Sequence, residues 1–349
     1  MPAESNPSTS VRVGLVGLGG HGRTIQAAAE AAPGLTVAAV FDPDEGEAAL
    51  AAERFGCAAA PSYEGLIARG DLDAVALVTP NAAHRPQAEA AFRAGLDVFV
   101  EKPIANTVAD GRAMVEAAEA AGRVLMVGHN MRFGRAARAA RQLLENGGIG
   151  EVVSAEIHFS ADNVQKGTHK GWRFEPGGSP LLPMMQLGIH AVDLVHYLLG
   201  PIARVSAHAR TVLAPPGIVD TVTGLFATED GLHGTVVSSY CTPDLFQVRL
   251  AGTAGLLVLD WIPHRLTVLS RGSRTEAPEI RDYSTHDGED LVLEMRAFAA
   301  AVHRRMPPET DGRVGLRALA VVEAMATSAH EGGNGVVVTG ETLAAQTAP

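Results

Sequence analysis

The sequence predicts an α/β fold in two parts: an N-terminal doubly wound parallel sheet, then an α+β domain built on a large, mainly antiparallel, open-faced sheet. Three observations carry this. Short β-rich runs alternate with helical stretches over residues 11–128, which implies parallel strands joined by helical crossovers. A glycine turn links the first strand to the first helix. Beyond about residue 200, strand-like runs separated by turn residues follow one another with no helix between them, as in an antiparallel sheet.

The chain of 349 residues is too long for one ordinary core and divides into a tail over 1–10, a dinucleotide-binding domain over 11–130 and a substrate-binding and oligomerisation domain over 131–349. The opening MPAESNPSTS has neither a basic region nor an apolar core, so it does not read as a signal peptide. Residues 11–16 form the first strand, and Gly17-Leu18-Gly19-Gly20-His21-Gly22 turns into a helix over 23–32. This is the Rossmann arrangement. Gly17 permits the tight turn, Gly19 lets a pyrophosphate approach the backbone, and Gly22 lets helix and strand pack closely; Gly20 and His21 complete the loop. The helix N-terminus offers N–H groups and a positive dipole end to phosphates.

The strand over 36–41 ends in Asp42, where a carboxylate would accept hydrogen bonds from the ribose hydroxyls of NAD. It would repel the 2′-phosphate of NADP, and Pro43-Asp44-Glu45 supplies no cation, so NAD is expected over NADP. Asp42 also fits a turn or cap residue before the helix over 46–55. Strands over 74–79, 97–100 and 124–128 alternate with helices over 84–94 and 108–121. The loops after these strands carry Thr79-Pro80-Asn81 with His84, Glu101-Lys102-Pro103, and Gly128-His129-Asn130 with Arg132. In a doubly wound sheet such loops face the ligand.

The pattern then changes. A helix over 135–145 precedes a strand over 152–159 and a polar segment over 162–173, whose His169, Trp172 and Arg173 read as a substrate loop or as solvated loop. Residues 177–200 form the unusual stretch, GGSPLLPMMQLGIHAVDLVHYLLG. A helix over 184–199, apolar nearly all round, expects burial. At about 100° per residue, Gln186, His190, Asp193 and Tyr197 fall on one polar stripe. Buried polar groups need partners, so the stripe either lines a wet pocket or is a set of core residues satisfying one another. Gly188 permits a close backbone approach on the other side. Strands over 205–210, 222–228, 234–239, 246–251, 256–259 and 266–269 come next, then helices over 289–303 and 314–330 and a strand near 336–338.

Composition excludes several classes. A net charge of −11 without a basic stripe argues against nucleic acid. No apolar run reaches the roughly 20 residues of a membrane helix. Cys57 and Cys241 lack metal-ligand spacing, so no metal and no disulfide are expected, and a reducing, cytoplasmic setting fits. A broad sheet with one uncovered face predicts a homo-oligomer, a dimer or tetramer through the C-terminal sheet.

Four motifs in order, Gly17-x-Gly19-x-x-Gly22, Thr79-Pro80-Asn81-x-x-His84, Glu101-Lys102-Pro103 and Gly188-x-His190-x-x-Asp193, resemble those of the Gfo/Idh/MocA oxidoreductases over nearly the whole chain. The resemblance implies NAD or NADP and a sugar, cyclitol or related polyol. It implies that Lys102 lies near the reacting hydroxyl and that His190 trades its proton. Gln186 stands where many members have an aspartate; an amide holds a hydroxyl but cannot ionise, which leaves His190 or Lys102 as proton acceptor. Gln186, Lys102 and His190 are therefore the candidate catalytic set, with Arg132, His169, Trp172, Arg173 and Asp193 around the substrate and Asp193 a candidate to orient His190. A net dehydrogenase, a redox-neutral enzyme that cycles its NAD on a sugar, and an NAD-binding sensor without turnover all remain open.

Overall fold

The computed structural model describes residues 10–167, 171–175, 177–262, 264–270, 279–282 and 289–339. Residues 1–9 of the tail expected over 1–10, and His169, lie outside them.

The chain forms two compact units, residues 1–130 with 288–316, and residues 131–287 with 317–349. Sequence reading puts one boundary after residue 130 and all of 131–349 in the second domain; in the compact units residues 288–316 go with the first. Apolar burial explains the return. The helix that carries them packs Phe298, fully buried, against Phe99 of the parallel sheet, with ring centroids 5.7 Å apart.

In chain order the first unit runs β1 (Val11–Val16), α1 (His21–Ala31), β2 (Leu35–Phe41), α2 (Glu45–Phe55), β3 (Ala58–Ala59), α3 (Tyr63–Ile67), β4 (Ala74–Leu77), α4 (Asn81–Arg93), β5 (Asp97–Glu101), α5 (Val108–Ala121) and β6 (Leu125–Gly128). Its six strands are all parallel, in the order β3-β2-β1-β4-β5-β6. Strand order reverses between β1 and β4, and in open α/β sheets the crevice at that reversal holds the ligand. Capping fixes where the helices start: Asp44 Oδ1 accepts from the Gly46 and Glu47 amides, and Thr107 Oγ1 accepts from Asp110 N–H. β4 and β5 are buried along their whole length, as strands covered on both faces should be.

The second unit runs α6 (Arg135–Glu145), β7 (Val152–Ser160), α7 (Ile189–Leu199), β8 (Ile202–Arg210), β9 (Thr221–Thr228), β10 (His233–Ser239), β11 (Leu245–Gly252), β12 (Gly255–Asp260), β13 (Arg265–Ser270) and β14 (Glu279–Asp282). After α8 (Glu289–Arg304) in the first unit and α9 (Gly312–His330), the chain adds β15 (Val336–Val337). The nine-stranded sheet has the order β14-β13-β12-β11-β7-β10-β9-β8-β15; every neighbouring pair is antiparallel except β7 and β10. β9 alternates buried Val222, Gly224 and Phe226 with exposed Thr223 and Leu225, the pattern of a sheet covered on one face. None of the described helices is long and apolar enough to cross a membrane.

The helix expected over 184–199 departs from regularity. Residues Met184–Gly188 form a π turn in which Ile189 N–H reaches Met184 O, and α-helical spacing starts at Ile189. Pro183 opens the segment, and Ser238 Oγ of β10 donates to its carbonyl at 3.0 Å. A Cβ on Gly188 would lie 3.2 Å from Ser238 Cβ and well inside van der Waals contact with Met184 Sδ, so glycine lets helix and strand meet.

Phe298→Ala should lower the stability of the first unit by about 3–5 kcal/mol, the usual cost of truncating a buried aromatic. Urea unfolding followed by far-UV circular dichroism reads this. An unchanged midpoint would show that α8 is not part of that core.

Candidate active site

In the first unit the site is built at the C-terminal edge of the parallel sheet. Gly17 has a left-handed backbone (φ 86°), and a Cβ there would stand 2.5 Å from Val78 O at the end of β4. A Cβ on Gly22 would stand 2.2 Å from Gly17 O. Both glycines are demanded by the protein itself. Gly19 is different, since its Cβ would meet only the Glu47 side chain at 3.9 Å. That open side faces where a pyrophosphate would approach, and α1 begins beside it at Gly20 without a side-chain cap.

Asp42 ends β2 as expected, and its carboxylate also serves the backbone: Oδ2 accepts from Leu18 N–H at 2.6 Å and Oδ1 from Asp44 N–H at 2.9 Å. It thereby fixes the glycine turn against β2, and each oxygen keeps a lone pair for a ribose hydroxyl. Arg23, one residue past the turn, gives its guanidinium to Glu47. The residues present therefore fit a nicotinamide dinucleotide, NAD or NADP: an open glycine, a helix start and a placed carboxylate.

The loops after β4 and β5 are tied to each other. The buried His84 ring lies between two carbonyls, Nε2 2.9 Å from Thr79 O and Nδ1 3.0 Å from Pro103 O. Burial holds its pKa below the ordinary value, against its hydrogen bonds. Asn81, also buried, donates Nδ2 to Asn106 Oδ1 at 2.9 Å, and Thr79 Oγ1 donates to Gln87 Oε1 at 2.6 Å. His84 and Asn81, read from sequence as cofactor contacts, also brace the Thr79-Pro80 and Lys102-Pro103 loops against each other.

Glu101 is buried at the end of β5. Its Oε1 lies 3.3 Å from His21 Nε2, and Oε2 accepts Lys102 N–H at 3.2 Å. A Cβ on Gly128 would come within 2.8 Å of Oε1, so glycine at the end of β6 makes room for the carboxylate. Burial opposes ionisation of Glu101, yet the charge and hydrogen bond of His21, with Lys102, outweigh it and hold the carboxyl below its ordinary pKa.

In the second unit the stripe divides. Gln186 and His190 are buried, Gln186 in the π turn and His190 in α7, so the regular spacing that aligned them does not run through both. Gln186 Oε1 accepts from Arg173 Nε at 3.1 Å, and its Nε2 donates to Ser179 Oγ at 3.0 Å. Asp193, 1% exposed, takes two hydrogen bonds from the Arg132 guanidinium, one from Nε at 2.9 Å and one from Nη2. Removing one partner of so buried a pair costs about 3–5 kcal/mol, because the other charge is left stranded. Asp193 and Arg132, expected near the substrate, thus hold one another. Tyr197 sits among arginines: Arg138 Nη1 donates to its hydroxyl at 3.1 Å, and the Arg141 guanidinium lies 4.7 Å from its ring centre. Sequence reading missed Ser179, Asn106 and the Arg23–Glu47 pair; only Arg23, next to the glycine motif, carried a readable signal.

The oxidoreductase family with an NAD-binding Rossmann fold, GFO/IDH/MocA, matches residues 11–129, and the GFO/IDH/MocA C-terminal domain matches residues 137–258. The chain belongs to the Gfo/Idh/MocA oxidoreductase family. Among relatives within this family, D-apiose dehydrogenase of Paraburkholderia graminis is 32% identical, over 91% of this chain and 87% of that protein. D-xylose 1-dehydrogenase (NADP(+)) 2 of Haloferax volcanii is 29% identical, over 91% and 97%. The solved structure of levoglucosan dehydrogenase in complex with NADH and levoglucosan shares the fold at a TM-score of 0.88 and 23% identity, over 95% of this chain and 99% of that one.

A carboxyl whose folded pKa is depressed adds stability above its ordinary pKa, and that stability is lost as pH falls through the lowered folded value. Glu101→Gln should therefore lower Tm near neutral pH, with the two Tm curves converging as pH drops through the acid range. An offset constant at every pH would show that Glu101 contributes no charge effect.

Proposed function

We propose that this member of the family is an NAD-dependent dehydrogenase, transferring a hydride between a ring hydroxyl carbon of a sugar, sugar acid or cyclitol and the nicotinamide. The observation that carries this is the glycine turn, Asp42 and Lys102 gathered at one sheet edge around the β1–β4 reversal. The names of the two relatives, dehydrogenases of pentoses, support the substrate class.

Support for NAD over NADP comes from charge. A 2′-phosphate at Asp42 would meet that carboxylate, and the only cation just past the glycine turn, Arg23, is already paired with Glu47. The NADP named for the Haloferax relative weighs on the other side.

The bound dinucleotide supplies the hydride acceptor. Oxidising a carbinol also requires the hydroxyl proton to leave, so a group titrating near neutrality must reach it. His190 has that property as a residue type. Lys102 as an ammonium offers N–H donors and no acceptor, which suits it to donate to the carbinol oxygen. Proton removal then falls to His190. Gln186, neutral at every pH, positions the substrate.

NAD should bind more tightly than NADP in a fluorescence titration, and Asp42→Ala should weaken NAD by about 1.5–3 kcal/mol, the worth of hydrogen bonds to a charged group. Equal or tighter binding of NADP would overturn the assignment. Lys102→Ala should cut kcat by about two to four decades while NAD affinity stays within a few-fold. His190→Ala should lower kcat and flatten the acid limb of the kcat/KM profile, read as NADH formed against a panel of sugars and polyols. Full turnover in both variants would move the chemistry elsewhere.

A further inference from the structure

Arg173 stands on the 3-10 turn Trp172–Phe174 of the second unit, its guanidinium 4.7 Å from the centre of the Trp172 ring. Its hydrogen-bond partner is neutral. Nε donates to the Gln186 carbonyl at 3.1 Å, and the Gln186 amide passes on to the hydroxyl of Ser179. Among the described residues no carboxylate lies within ion-pair distance of Arg173, whereas the deeper Arg132 of the same unit is matched by Asp193. Lys166, earlier in the same segment, is paired with Asp244.

Arg173 is exposed while its partner Gln186 is buried, so the guanidinium reaches from the polar stripe of the helix to open solvent, where its terminal N–H groups can meet a ligand. With Nε on Gln186 and Cζ over the indole, the four N–H groups of the two terminal nitrogens form a planar fork that fits a carboxylate through two parallel bonds. A neutral hydroxyl can use only one of them at a time. The chain as a whole carries a charge of −11, which opposes the entry of an anion unless a cation waits at the site. One guanidinium matches a monoanion better than a phosphate dianion, which would call for a second cation.

We infer that Arg173 is a specificity-determining residue that recognises a substrate carboxylate, so that the substrate class is the sugar acids, uronates or aldonates, rather than neutral sugars. This rests on the proposed function, which puts its partner Gln186 and the neighbouring His190 at the substrate. Gln186 aligns Arg173 without neutralising it, which an acid at that position could not do.

The test is a titration of the full chain loaded with NAD, read by tryptophan fluorescence with Trp172 as the near reporter, using D-glucuronate, D-galacturonate and D-gluconate against D-glucose, D-galactose and D-glucose 6-phosphate. NADH formation is recorded in parallel. A sugar acid should bind at least about tenfold more tightly than its neutral parent and than the phosphate, the scale expected for a bidentate charge-assisted contact. Arg173→Met, which keeps the apolar stem, should bring that ratio close to one. Gln186→Asp, which gives Arg173 an internal counter-ion, should also lower it, and this keeps the question answerable if the first variant fails to fold. Equal or tighter binding of neutral sugars, or of the phosphate, would overturn the inference. So would an Arg173→Met variant that weakens acid and neutral ligands by the same factor, the mark of a purely structural tether. Carboxylate-selective binding without NADH would leave the inference standing and remove the dehydrogenase reading; NADH from neutral sugars alone would do the reverse.

Discussion

The first unit depends on how it accommodates one buried carboxylate. Glu101 closes β5 inside the sheet edge, where an ionised acid is unfavourable unless its neighbours compensate it. The compensation comes from three places at once: the His21 imidazole on the glycine turn, the backbone and side chain of Lys102, and the space left by Gly128 at the end of β6. Each is the start of a loop that must be held for chemistry. Fixing Glu101 therefore fixes the phosphate turn, the lysine and the end of the next strand relative to one another. His84 and Asn81 extend the same logic across β4 and β5, with a buried ring and a buried amide joining loops that water would otherwise loosen.

The second unit solves a different problem. An apolar helix carrying buried Gln186 and Asp193 must satisfy both, and it does so with arginines on either side of a change in helical pitch. Arg132 takes the full carboxylate of Asp193, and Arg138 and Arg141 surround Tyr197, which secures the far half of the helix. The near half is held by neutral groups, Ser179 and the Arg173-linked amide of Gln186. One end of the helix thus holds a matched charge pair and the other an arginine bonded to a neutral amide. The π turn fits this division, because a wider turn at Met184–Gly188 brings the segment onto Ser238 through the gap at Gly188.

The parallel sheet was legible because period and punctuation agree: β4 and β5 are short continuous apolar runs, and each is followed by a loop of Pro, Asn or Gly. Asp42 was legible because its place after β2 follows from topology. What escaped was set by contacts distant in sequence. Nothing around Phe298 tells that its ring meets Phe99 some 200 residues earlier, so the return of α8 to the first unit could not be read. Helical arithmetic at 100° per residue put Gln186, His190 and Asp193 on one arc, but a proline, a diverted carbonyl and a glycine broke that spacing at Gly188. Asp193 takes hydrogen bonds from an arginine 61 residues away, a partner that the helical pattern does not announce. The two-residue β3 and five-residue α3 fell below the length at which periodicity speaks.

Direct transfer of a hydride from a sugar ring carbon to the cofactor is the central claim, and isotope tracing tests it most closely. The chain is incubated with NAD and sugar acids carrying deuterium at one ring carbon at a time, and the reduced cofactor is analysed by mass spectrometry. The proposed mechanism predicts deuterium in the reduced cofactor from a single ring position, in step with formation of the matching keto sugar. Product formed while the cofactor pool stays oxidised and unlabelled, or label appearing only in solvent, would contradict it.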